Sequence, residues 1–531
     1  MRTAVFRQSA TVVPELLRKN EVGVPERGKM KKNPRILIVT PEITYLPEGM
    51  GNMSNKLQAK AGGLADVSSS LVAALYRQGA DVHVALPHYR RMFHVDVGKL
   101  ISSELRVYMN HLPNSRIHLA EDRIFYYLDS VYSGYGDDSF RSAMAFQREV
   151  INNIILSVQP DLIHCNDWMT GLIPAFARRM GIPCLFTVHN IHTQKTTLDA
   201  IEDRGIDAAD FWKYLYYSRP PYNYEESRST NPVDQLASGI FAAHYINTVS
   251  PTFLKEIVEN RHSFVPPAIQ QEIANKAHAG CAAGILNAPD ENCDPTTDVE
   301  LEVRYGSSDH VEAKRKNKIA FQNKTGLKVD PDAPLFFWPS RLDPVQKGCQ
   351  LLAEILYTTT SEYYNRNLQV AIVANGSYKH VFREIVERFN LYEQVTVCDF
   401  DEGLSHLGFA ASDFMLMPSL FEPCGLPQMT SQIYGSLPIV HDTGGLHDTV
   451  EMLKVSKHTG NGFIFRDYDA NALHWAIGKA MEFYDLAPEI RAAEIARIMD
   501  SAKKRFNHDV TAGEYIKIYE KMLQRPLVNN A

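Results

Sequence analysis

The chain has 531 residues, 45% of them hydrophobic and 22% charged, with a formal net charge of −7. That length exceeds a single hydrophobic core and calls for two or three domains. The acidic balance argues against a nucleic-acid binder, and no apolar run reaches the roughly 18 residues that span a bilayer.

Residues 1–34 carry Arg2, Arg7, Arg18 and Arg27 but no apolar signal core. The expectation is either a native start at Met30 or a disordered N-terminal tail; a transit peptide is the other reading. From Arg35 onward strand and helix alternate, the pattern of parallel sheets covered by helices. Strands are expected at Ile36–Val39, Asp81–Leu86, Ile124–Leu128, Asp161–His164, Cys184–Val188 and Tyr245–Val249. Leu64, Val67, Leu71, Ala74 and Leu75 fall at helical spacing between the first two. A second series is expected at Leu335–Trp338, Val370–Ala374, Val395–Cys398, Phe414–Met417 and Pro438–Val440.

The turn formers of Asn287–Asp298 mark a hinge between the two series. The reading is α/β: two doubly wound, Rossmann-like domains over 35–286 and 287–505, facing one another across a cleft. A terminal helix in 506–531 is expected to pack back on the first domain. Ligands of such sheets bind beyond the strand C-termini, which here would share the cleft. Seven scattered cysteines contain no C-x-x-C pair, so a reducing compartment is the natural setting.

Four loops at expected strand ends carry chemistry. Lys60-Ala61-Gly62-Gly63 precedes a helix; glycines permit close backbone approach, and free N–H groups at a helix start favour an anion. Ser340-Arg341 and Lys347-Gly348 flank a loop that offers a guanidinium fork and a point charge, which suits a diphosphate. Glu422-Pro423-Cys424-Gly425-Leu426 ends a strand and holds a carboxylate at the cleft. Thr443-Gly444-Gly445 offers a backbone nest for phosphate. Read singly, each has a plain alternative: a tight turn, a solvated cation pair or a helix-capping acid. Asp399-Phe400-Asp401 has the form of a metal-binding Asp-x-Asp and is read as a strand-end loop.

Taken together, Lys60-Ala-Gly-Gly, His189-Asn190, Thr248-Val-Ser-Pro-Thr, Gly284-Ile-Leu-Asn287, Ser340-Arg-Leu, Gln346-Lys-Gly, Glu422-Pro-Cys-Gly-Leu and Thr443-Gly-Gly-Leu, in this order, resemble the bacterial glycogen synthase and plant starch synthase family. The resemblance runs from about Arg35 to beyond Gly462. It implies a GT-B architecture, ADP-glucose as donor, an α-1,4-glucan acceptor, retention of anomeric configuration and no required metal or other cofactor. By the resemblance Lys60, Gly62 and Gly63 hold donor phosphate, and Asp167 binds the sugar. His189 lies near the reacting carbon, and Arg341 and Lys347 hold the diphosphate. Glu422 is the active-site glutamate, and Asn287, Cys424, Gly425, Thr443, Gly444 and Gly445 line the donor site.

Departures from the family pattern stand at Asn166 and Met169 around Asp167, at Lys195 after His189-Asn190, at Ala237 or Ser238 in place of a lysine, at Ala288 after Asn287, and at Thr430 in place of an aromatic residue. They lie mostly on the acceptor side and leave open a GT-B transferase with another acceptor, or a catalytically weak glucan-binding homologue. ADP- versus UDP-glucose and oligomeric state are not fixed by the sequence. A cytoplasmic location is expected, with a plastid as the alternative.

Overall fold

The structure is a computed structural model and describes residues 33–51, 57–60, 63–93, 116–131 and 137–528; the expectations placed on residues 1–32 lie outside that set. Among the described residues two parallel sheets carry the fold. Strands β1 (Arg35–Val39), β2 (Asp81–Pro87), β3 (Ile117–Ala120), β4 (Leu162–Asn166) and β5 (Cys184–Val188) begin the first. A short antiparallel pair, β6 (Lys195–Thr196) with β7 (Val233–Asp234), stands apart, and β8 (Tyr245–Thr248) and β9 (Ala282–Gly284) complete the first sheet in the order β3-β2-β1-β4-β5-β8-β9. The second sheet holds β10 (Leu335–Trp338), β11 (Gln369–Val373), β12 (Val395–Cys398), β13 (Phe414–Met417), β14 (Leu437–His441) and β15 (Phe463–Phe465), in the order β12-β11-β10-β13-β14-β15.

The central strands read as unbroken apolar runs because helices cover both faces. Ile36, Leu37, Val39, Leu162, Ile163, Leu185 and Phe186 are fully buried in the first unit, and Leu335, Phe337, Trp338, Ile372 and Leu416 in the second. One expectation fails. Arg123–Tyr126 is a helical turn, not part of a strand, because Asp122 accepts from the Ile124 N–H at 2.8 Å and caps it. The sheet edge is instead Ile117–Ala120.

The polypeptide passes to the second unit after β9 and comes back at its far end. Helix Pro488–Arg505 lies against the second unit, where Ile498 joins its core. The next helix, His508–Leu523, buries Tyr515, Ile518 and Tyr519 in the first unit's core. Polar contacts fix its register: Tyr519 Oη lies 2.7 Å from His164 Nδ1, and Asn247 Nδ2 donates to Tyr515 Oη at 3.0 Å. His164 is thereby a structural residue, buried and held neutral, its pKa lowered to about 3 by desolvation. No helix among the described residues is long and apolar enough to cross a membrane.

Candidate active site between the two units

The segments that follow the C-terminal ends of β1, β10, β12 and β13 meet around one cavity of about 580 Å³. Thr44, Tyr45 and Lys60 line it from the first unit, and Pro339, Phe400, Glu402, Leu426 and Pro427 from the second. Parallel strands in both sheets make this convergence geometric: every strand end of a unit points the same way.

Gly63 opens helix Gly63–Arg77 and touches the opposite unit, since a Cβ there would lie 3.2 Å from Leu426 Cδ1. The glycine loop and the Glu422 segment are therefore in contact across the cleft. Gly62 lies outside the described residues. The Lys60 ammonium is engaged by Asp66 Oδ2 at 3.1 Å and lies 3.8 Å from Glu402 Oε1. Its charge is thus partly answered by the protein before any ligand arrives.

Lys347 and Glu422 form a close ion pair, Nζ to Oε2 at 2.5 Å, with 12% and 8% of their side chains exposed. Ser419 Oγ donates to the same carboxylate oxygen at 3.1 Å. The loop that carries Lys347 is bound to the Glu422 segment through its backbone, the Leu420 N–H donating to Gln346 O at 2.8 Å. Gly348 is required here: it adopts φ +72°, and a Cβ would fall 2.0 Å from Pro418 O. Arg341 is exposed and makes no ion pair among the described residues, so its guanidinium is the uncommitted cation of this loop.

The Thr443–Gly445 nest is not empty. Glu256, from helix Pro251–Val258 of the first unit, puts both carboxylate oxygens 3.1 Å from the Gly444 N–H and 3.3 Å from Thr443 Oγ1. The Gly445 N–H donates to Glu422 O at 2.9 Å. In this structure the Gly444 N–H and the Thr443 hydroxyl are therefore engaged by an anion that the protein itself supplies. The reciprocal contact comes from Asp448, on helix Gly444–Thr449, which accepts from Ser250 Oγ (2.5 Å), Thr252 N–H (3.0 Å) and Thr252 Oγ1 (2.6 Å). Two helices from different units thus run antiparallel, each capped by an acid near the other's C-terminal end. Sequence reasoning missed Glu256, although Ser250-Pro251 was a readable helix start.

Close backbone approach explains the glycines. A Cβ on Gly445 would lie 2.0 Å from Cys424 O, and Gly425 adopts φ +71°. Cys424 is buried, its sulfur accepts from the Asn287 backbone N–H, and burial pushes the thiol up to about 12. Asn287 Oδ1 is buried and meets no hydrogen-bond partner among the described residues.

On the first unit, Asp167 follows β4 with φ +57° and is 2% exposed. Its oxygens accept from the His189 N–H (2.8 Å), the Asn190 N–H (3.4 Å) and Asn190 Nδ2 (2.8 Å). The carboxylate so holds the loop after β5 in place. Burial raises its pKa to about 7, against the lowering effect of the two amides. His189 sits above Asn166, Nε2 to Oδ1 at 3.0 Å, and desolvation lowers its pKa to about 3.

The departures fall into three kinds. Met169 and Ala237 are core residues, 1% and 0% exposed, and Lys195 is an exposed residue of β6. Thr430 lines the cavity. The Asp-x-Asp pair has structural duties: Asp401 accepts from the Leu404 N–H at 2.7 Å as a helix cap, and Asp399 pairs with Lys379 and Arg383.

Comparison with known proteins is consistent with this geometry. Residues 35–265 match the family model described as the starch synthase catalytic domain, and residues 321–496 that of glycosyl transferases group 1. Glycogen synthase of Moorella thermoacetica is 33% identical, over 93% of this chain and 98% of that protein. Glycogen synthase of Exiguobacterium sibiricum is also 33% identical, over 87% and 95%. Among solved structures, the catalytic domain of starch synthase IV from Arabidopsis thaliana, bound to ADP and acarbose, superposes with a TM-score of 0.73 at 24% identity, covering 93% of this chain and 100% of that one. A sucrose-phosphate synthase from Thermosynechococcus elongatus superposes with a TM-score of 0.54 at 17% identity, over 92% and 99%.

Proposed function

The chain belongs to the family of bacterial glycogen synthases and starch synthases, and from that membership we propose that it transfers glucose from ADP-glucose to the non-reducing end of an α-1,4-glucan with retention of configuration. It is a hexosyltransferase with the GT-B arrangement of two facing parallel-sheet units. The observation that carries the finer reading is the contact between Gly63 and Leu426 beside Lys60: two signature segments, one from each unit, border the same cavity.

The chemistry asked of the site is stabilisation of a departing diphosphate. Arg341 is the uncommitted guanidinium, and Lys347 a point charge held by Glu422; Lys60 adds a third cation from the opposite wall. Fixed charges of this kind, already oriented when the bond breaks, are often the largest catalytic contribution. With the diphosphate held, the acceptor 4-hydroxyl attacks from the face the leaving group departs, and a phosphate oxygen takes its proton. Glu422, already bound to Lys347 and Ser419, is a poor nucleophile in this geometry, which favours the same-face route over a covalent glucosyl-enzyme. Closure of the units excludes water and favours transfer over hydrolysis. The route places all its cations on the chain and calls for no metal, and we place the enzyme in the cytoplasm.

The test is nucleotide release from ADP-glucose and from UDP-glucose, each with and without glycogen primer and with and without a chelator. Primer-dependent release of ADP, unaffected by the chelator, is expected. Release from UDP-glucose alone would overturn the donor assignment. Release with small sugars but not with glycogen would overturn the acceptor.

A further inference from the structure

Asn166 ends β4, where the resemblance leads one to expect histidine, and every polar atom of its side chain facing the site is committed. Its Nδ2 donates to Val39 O at 3.1 Å. A backbone carbonyl only accepts, so the amide must present its nitrogen to Val39 and its oxygen to His189, whose Nε2 lies 3.0 Å from Oδ1. That oxygen in turn only accepts. The hydrogen between the two residues therefore belongs to His189 Nε2. The backbone of His189 is fixed separately, its N–H donating to Asp167 Oδ1 at 2.8 Å.

We propose that Asn166 is a positioning residue that locks His189 as the Nε2–H tautomer, so that its Nδ1 lone pair accepts a hydrogen bond from a hydroxyl of the transferred sugar. Burial keeps the ring neutral, with a pKa lowered to about 3, so a hydrogen on Nε2 leaves none on Nδ1. Nδ1 has no hydrogen-bond partner among the described residues, and a hexose offers O–H donors around its whole ring. A histidine in place of Asn166 would not impose this choice, because its own ring can donate or accept. The carbonyl of Val39 makes asparagine decisive: it orients the amide, and the amide orients the imidazole. The sugar half of the inference rests on the proposed glucosyl transfer; the tautomer half does not.

The test uses full-length protein labelled with 15N-histidine. Long-range 15N–1H correlation spectra read the tautomer, and the His189 signals are assigned by their loss in His189→Gln. In the unsubstituted protein at neutral pH, His189 is expected as a neutral ring with the hydrogen on Nε2. In Asn166→Leu the lock is gone, and a mixture or the Nδ1–H form is expected, with kcat for transfer lowered about 100-fold and the glucan KM little changed. Asn166→His is expected to recover part of kcat while giving a mixed tautomer. An Nδ1–H or charged ring in the unsubstituted protein overturns the lock without recourse to any variant, as does an Asn166→Leu protein with unchanged tautomer and rate. An Nε2–H ring in a protein that transfers no glucose from any donor upholds the lock and overturns the proposed reaction.

Discussion

Glu256 and Asp448 stand at the C-terminal ends of two antiparallel helices from opposite units, and each accepts from the N-terminal donors of the other's helix. Glu256 is 5% exposed.

Removing either cap should destabilise the protein and loosen the pairing of the units. Glu256→Ala and Asp448→Ala are each expected to cost about 1–3 kcal/mol in urea unfolding, the range for a buried donor left unmade. Burial works against ionised Glu256, but His262, Gly444 and Thr443 outweigh it and lower its pKa. Its stabilisation is therefore present above the ordinary glutamate range and lost as pH falls through that range. Unfolding midpoints measured down that range, falling less steeply for Glu256→Gln than for the parent, would bear this out.

The Lys347–Glu422 pair should behave as a unit. Lys347→Met leaves a buried carboxylate without its cation and is expected to cost about 3–5 kcal/mol, whereas Lys347→Met with Glu422→Leu should cost much less. Turnover should fall about 100- to 1,000-fold in Lys347→Met and in Arg341→Ala alike. Arg341→Ala should leave unfolding unchanged, because its side chain has no ion pair to lose. Full turnover in Arg341→Ala would refute the assignment of the diphosphate to this loop.

Asp167 sets a pH limb. Its oxygens accept from His189 and Asn190, and protonation replaces one acceptor with an O–H directed at amides. With its pKa raised to about 7 by burial, activity should rise as pH increases through about 7. Asp167→Asn should show a lower rate without that limb. The sign for stability is opposite: folding raises the pKa from 3.8 to about 7, so the folded state takes up a proton, and this group's contribution becomes less favourable as pH climbs through that interval.

Two glycines make a matched pair of controls. Gly445→Ala drives a Cβ to 2.0 Å from Cys424 O and should cost about 1–3 kcal/mol with loss of activity. Gly513 lies within helix His508–Leu523 with nothing within 4 Å of an added Cβ. Gly513→Ala should stabilise the protein by about 0.5–1 kcal/mol, read as a raised unfolding midpoint.

The apolar strands were legible in sequence because a parallel sheet buried on both faces writes itself as an unbroken run, as at Cys184–Val188 and Leu335–Trp338. Ile124–Leu128 has the same look, yet a single Asp122 side chain turns its first residues into a helix. Ala282–Gly284 escaped because three small residues carry no hydrophobic signature. Within the site, residues that present chemistry in a short string could be named from the sequence, as Lys347 and Glu422 were, and the structure pairs these two. Glu256 and Asn166 were not, since their importance depends on partners 188 and 23 positions away in the chain. The carboxylate that meets the glycine nest was hidden for the same reason, since it arrives from the other unit.

The return of the polypeptide through helix His508–Leu523 leaves the two halves joined by two covalent straps, one following β9 and one at Phe506. A body held at two points keeps one rotational freedom, about the line through both. Two ties leave fewer relative placements open to the halves than one would, and so favour the register in which Gly63 meets Leu426. A protease that severed the strap at Phe506 would leave both sheets whole but joined by the chain at one point only.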